Sequence, residues 1–197
     1  EEVFDLKESN LMFKKSRKVT ISYHGAIQFG RDLDEFLDVY CDLIKENELF
    51  KANTEFFTRL KSSEHNRLKN KYKNISNINI LEGVPFSTSY LEQKYITDIN
   101  ISLENGPIYC SVLLGKAPVL SEIPKRILSL SPIDSEMRFI IVNKKYVATY
   151  GDLTEIKVKL SNLISEVLKE KPFEEKIFGD YFSDENFKKQ LDVIINN

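Results

Sequence analysis

Cysteine and histidine are the scarcest reactive residues in this 197-residue sequence, with two of each. Structural zinc sites draw four ligands from these types at recognisable spacing, so a zinc-built domain is not expected. Cys41 and Cys110 lie far apart and form no CxxC. That predicts reduced, buried thiols rather than a disulfide or redox pair. No GxSxG elbow and no suitably flanked cysteine offers a nucleophile. Nor does a GxGxxG follow the first strand pattern, which argues against an epimerase or other enzyme built on that fingerprint. No apolar run approaches the roughly 20 residues of a membrane span, and no secretory leader opens the chain. The expected location is the cytoplasm. Lys and Arg number 28 against 30 acids, a formal charge of -2. A dedicated nucleic-acid binder would carry a visible cationic excess, so no nucleic-acid partner is expected.

What remains is an ordinary globular composition, 42% hydrophobic and 29% charged, with length for one ample core. The chain opens at Glu1 instead of Met, as an excised or processed piece of a longer protein would. Residues 1–18 end in the basic run "KKSRK" and read as a linker. "KVTISYHG" alternates with β-branched residues and reads as a strand. Leu33, Phe36, Leu37, Tyr40, Leu43 and Ile44 then fall at helical spacing, with Asp32 and Glu35 as a capping box. "TEFFTRL", "NINILEG" and "DINISLE" read as further strands, separated by helices over 64–73 and over 90–95, the latter capped by Ser89 with Glu92. A helix is expected over 108–114, then strands in "APVLSEI" and "RFIIVNK". A long amphipathic helix begins after Asp152, and a closing helix runs over 184–195 with Phe187, Leu191, Ile194 and Ile195 on one face.

Strands alternating with helices imply an α/β fold, a Rossmann-like parallel sheet flanked by helices. Ligands of such sheets bind beyond the carboxyl ends of the strands. The loops over 25–31, 59–63, 82–87 and 104–107 are therefore the candidates. Gly106 lets an anion approach the backbone, and a helix starting at Pro107 or Ile108 would offer free N–H groups with Asn105 beside them. Glu104 could accept bonds from sugar hydroxyls. Gly25 allows close approach, and Arg31 could grip a diphosphate. His24 could donate into a pocket, Arg59 and Lys61 would add positive charge, and Val84 could offer backbone groups to a base beside Pro85 and Phe86. Each of these also has a plain reading as turn, surface charge or strand exit, and the residues alone leave both open. Asp32-Leu33-Asp34 matches a DxD metal motif but sits at a helix start, where capping explains it.

Over about Lys18 to Leu168, the order of elements resembles the C-terminal, nucleotide-sugar-binding domain of GT-B fold glycosyltransferases, of the family 1 and 4 kind. "KVTISYHGAIQFGRDLDEFLDVYCDLI" resembles that family's opening strand, glycine loop and helix. "NINILEGVPFSTSYLEQKYITDINISLENGP" resembles its run to the acidic donor loop, and "LLGKAPVLSEI" its Gly-Lys-Pro segment. The resemblance implies a linker over 1–18 from a missing N-terminal acceptor-binding domain, a donor-binding domain over 19–170 and a helical tail over 171–197. It implies a nucleotide diphosphate sugar as substrate and no metal or other cofactor. Arg31 and Glu104 would be catalytic. His24, Gly25, Arg59, Val84, Asn105, Gly106, Pro107 and Ile108 would bind substrate. The role implied is bacterial surface polysaccharide synthesis, inactive without the other domain, with any membrane association left to the absent part. The tail helix would have its apolar face partly exposed or engaged in a crystal contact. The chain departs from the pattern at Val112, where many retaining members have a second glutamate, and at Ala26, where they have arginine. The competing expectation is a flavodoxin-like regulatory or protein-interaction domain.

Overall fold

The computed structural model describes residues 11–61, 63–106 and 108–195. Its first half follows the alternation. Strand β1 (Val19–Gly25) leads to helix α1 (Asp34–Glu46), then α2 (Glu48–Asn53), β2 (Thr54–Leu60), α3 (Glu64–Tyr72) and β3 (Ile78–Glu82). Helix α4 (Phe86–Leu91) runs directly into a π-helical turn, Glu92–Ile96, and β4 (Ile99–Leu103) follows. These pieces form where β-branched and aromatic residues alternate with polar ones, and where helices bury one face, as α1 buries Phe36, Leu37, Tyr40, Leu43 and Ile44.

The second half departs from the sequence reading. No helix spans 108–114; that stretch holds the two-residue strand β5 (Tyr109–Cys110). "APVLSEI" forms helix α5 (Ala117–Ser121), with Pro118 in its first turn, where the missing N–H costs nothing. Strand β6 (Arg126–Ser131) comes next, with Ser129 and Ser131 buried and their hydroxyls 3.0 Å apart. After the short β7 (Asp134–Ser135), "RFIIVNK" contributes to helix α6 (Glu136–Ile140). The Ser135 side chain caps it by accepting from the Arg138 amide. A 3-10 turn, Lys144–Tyr146, leads to β8 (Val147–Thr149), then α7 (Leu153–Leu168) and α8 (Asp184–Ile195).

Six strands form one parallel sheet in the order β3-β2-β1-β4-β6-β8, and β5 pairs with β7 beside it. The order reverses between β1 and β4, and such a switch point opens a crevice at the carboxyl ends of those two strands. Both are buried along nearly their whole length, so the crevice has a rigid floor.

The capping boxes are half built. Asp32 accepts from the Asp34 amide at 2.7 Å, but Glu35 reaches across to the Gly151 amide at 3.0 Å. Asp152 caps α7 through the Glu155 amide, while Glu155 turns back to the Thr149 amide. Ser89 lies inside α4 instead of capping a helix over 90–95.

Segments outside the 19–170 boundaries also pack on this body. Phe13 stacks on Phe57 with ring centroids 4.3 Å apart, and Lys15 pairs with Asp98 at 2.7 Å. Beyond residue 170, Ile177 and Phe178 are buried. Among the described helices, α8 stands free of the core. None of its residues is buried, and Phe187, Leu191, Ile194 and Ile195 are exposed as expected.

Candidate functional site

The carboxyl ends of β1 and β4 carry two short loops that touch. The Gly106 amide donates to the Phe29 carbonyl at 3.3 Å. From the first loop, Arg31 donates through Nε to Asn105 Oδ1 at 3.1 Å and through Nη1 to the Ala26 carbonyl at 3.3 Å. The expected neighbours Arg31, Asn105 and Gly106 therefore lie together at the switch point.

A second cation meets them there. Lys116, at the start of α5, extends under the end of β1, with Nζ 3.3 Å from the His24 carbonyl oxygen and 4.8 Å from the Tyr23 ring centroid. Its ammonium is pulled down to about 7, first by burial and then by the Arg31 charge. Neither Arg31 nor Lys116 pairs with a carboxylate among the described residues. Two half-buried cations that repel each other across a strand end form a field that an anion would relieve. Tyr23 lies fully buried beneath, its hydroxyl donating to Ala26 O at 2.9 Å, its own ionisation pushed up to about 12 by burial.

Beside this pair opens a cavity of about 210 Å³, with His24, Gly25, Val84, Phe86, Lys116 and Val119 among its walls. Four of the residues that the resemblance assigned to substrate binding thus share one hollow with Lys116: His24, Gly25, Arg59 and Val84. His24 is held neutral. Burial, then the charges of Lys116 and Arg59, keep it well below the ordinary histidine range, and its Nδ1 lies 2.9 Å from Ser89 Oγ.

Three expectations need correction. Arg59 adds no net charge to the crevice, because the fully buried Glu92 holds it through Nε at 3.0 Å and Nη2 at 2.5 Å, with the Leu11 carbonyl accepting as well. Glu104 does not reach the crevice surface. Its carboxyl is wholly buried, accepts from the Met137 amide at 3.3 Å, and has Ser135, Ser131 and Cys110 around it. Burial raises it above the ordinary glutamate range, against those hydrogen bonds. Ile108 is highly exposed and precedes a strand, so the helix N-terminus expected there is absent, and Pro107 lies outside the described residues.

Lys116 is the residue the sequence reading passed over. "GKAP" flagged the segment, but reading it as a strand concealed that its lysine heads a helix and reaches the His24 carbonyl at the end of β1.

Among the described residues no group of three or more His, Cys, Asp or Glu could hold a metal ion, and no helix is long and apolar enough to cross a membrane.

Comparison with solved structures agrees with the topology. TarM from S. aureus, crystallised with Fondaparinux, α-GlcNAc-glycerol and UDP, matches with a TM-score of 0.67 and 13% identity. The match covers 96% of this chain and 37% of that one, so this chain spans little more than a third of TarM. The C-terminal domain of a glycosyl transferase group 1 family protein, LpcC of Francisella tularensis, gives 0.64 at 14% identity, over 86% of this chain and 87% of that one. The catalytic domain of cholesterol-α-glucosyltransferase from Helicobacter pylori gives 0.57 at 10% identity, over 88% and 98%. No family model and no curated protein matches the sequence. At such identities the likeness speaks for the fold alone, a Rossmann-like α/β domain of the kind those GT-B glycosyltransferase structures contain.

Proposed function

We propose that this chain is the donor-binding half of a glycosyltransferase of the hexosyltransferase type, holding a nucleotide diphosphate sugar at the β1/β4 crevice. The observation that carries it is the pair of cations, Arg31 and Lys116, converging at the switch point without a carboxylate partner among the described residues. A diphosphate bridging them would relieve their repulsion, and as the leaving group it would be stabilised by charges already fixed in place. A resident metal is then not needed for that charge. The adjoining cavity, with Val84 and Phe86 on its wall, has room for a nucleoside base.

In this reading the acceptor is held by a second domain, and this half does not turn over alone. Bacterial surface polysaccharide synthesis remains the proposed setting, and the bacterial sources of the structural neighbours support it. Because TarM was crystallised with UDP, UDP and UDP-sugars are the first ligands to titrate, with GDP and GDP-sugars beside them. Calorimetry should show saturable binding that weakens at least tenfold in Arg31→Ala and in Lys116→Ala, the loss of one charge-assisted contact being worth about 1.5–3 kcal/mol. Heat-silent titrations with all four ligand types, confirmed by ligand-observed NMR, would overturn it.

A further inference from the structure

Arginine binds a diphosphate well only when its planar fork is already turned the right way, because a free guanidinium must surrender rotamer freedom on binding. Around Arg31 the structure supplies that orientation. Nε donates to Asn105 Oδ1 at 3.1 Å, Nη1 to the Ala26 carbonyl at 3.3 Å, and the Tyr23 hydroxyl stands against the same group. These acceptors take the Nε hydrogen and one Nη1 hydrogen and leave Nη hydrogens over for an anion.

Asn105 is itself held on both flanks. The preceding carbonyl, of Glu104, accepts the Tyr150 hydroxyl at 2.6 Å, and the following amide, of Gly106, donates to Phe29 at 3.3 Å. Its neutral carboxamide accepts from the guanidinium without cancelling the charge, as a carboxylate at the same place would.

We infer that Asn105 is a positioning residue, whose side-chain carbonyl fixes the Arg31 guanidinium for diphosphate capture. Resting on the donor-site reading, this adds to it a device that acts through Arg31 and touches no substrate by itself.

The test uses the arginine side-chain 15N spectrum of the whole chain, first free and then titrated with UDP at several salt concentrations. Free wild type should show an Arg31 Hε protected from exchange. Asn105→Ala should lose that protection with its thermal midpoint unchanged, and should bind UDP about tenfold more weakly with the same salt dependence, since no charge is removed. Asn105→Asp should keep the Hε protected but weaken binding and flatten the salt dependence, because its carboxylate neutralises the fork. An Arg31 Hε equally protected in Asn105→Ala, or UDP binding unaffected by it, overturns the inference. If no arginine responds to UDP in wild type, the donor reading falls, while the ligand-free spectra still decide whether Asn105 orients Arg31.

Discussion

Gly30 and Gly106 meet back to back. A Cβ built on Gly30 would lie 2.0 Å from the Gly106 carbonyl oxygen, and Gly30 also sits at φ +75°, a conformation side chains rarely adopt. A Cβ on Gly106 would press to 2.9 Å from the Tyr150 ring. Gly30→Ala must therefore part the two loops. It is expected to cost about 1–3 kcal/mol of stability by urea unfolding and to abolish UDP binding at millimolar ligand. Unchanged affinity would mean that loop contact is dispensable for the site.

Lys116 sets the expected pH dependence. With its ammonium at about 7 in the free chain, protonation and hence attraction for a diphosphate diminish as pH rises. Affinity for a UDP-sugar, whose diphosphate does not titrate in this range, should fall between pH 6 and 9, with the bound anion moving the midpoint above 7. The sign for stability is the reverse. Between about 7 and the ordinary 10.5 the unfolded chain binds the extra proton, so this group makes the fold more stable as pH rises. Lys116→Met should flatten both trends, read by calorimetry and by urea unfolding across pH.

Glu104 should behave as an interior acid. Its ionisation lies above the usual glutamate range, so the native chain keeps a proton that the unfolded chain has released. Its stabilising contribution is present at low pH and is lost as pH rises through the native value. Glu104→Gln should remove that drift and leave UDP binding intact. Glu104→Ala should cost about 1–3 kcal/mol by leaving the Met137 amide unpaired. Loss of UDP binding in the glutamine variant would restore a direct ligand role to this carboxyl.

Glu92 and Arg59 should be separable only at a penalty. Glu92→Gln strands a largely buried guanidinium and is expected to cost about 3–5 kcal/mol in urea unfolding. Arg59→Met combined with Glu92→Leu should recover most of that loss, because neither charge is then left uncompensated.

The first half of the fold was legible because its strands are long and rich in β-branched residues, and its helices bury regular stripes, as with Ile21 and Tyr23 in β1 and Phe36 and Tyr40 in α1. The second half was not. Short apolar runs such as "APVL" and "RFII" fit either period, and what decides them is the position of Pro118 in a first turn and the Ser135 cap. Strand β6 was not among the expected strands; its serines are buried, where alternation alone would place them toward solvent. At the site, Arg31, Asn105 and Gly106 could be picked out as loop residues near strand ends. That Asn105 serves Arg31, and that Glu104 turns inward, depends on Tyr150 and Met137, which only the folded chain brings to them.

Placing β1 at the centre of the sheet has a kinetic consequence. Ile21 pairs with Phe56 on one side and with Ile99 on the other. As the chain leaves the ribosome, β1, β2 and β3 can assemble early, but one flank of β1 must wait, unpaired and apolar, until β4 emerges. The crevice flank of β1 is thus sealed later than its β2 flank, and until then it is an apolar edge that a holding chaperone could grasp.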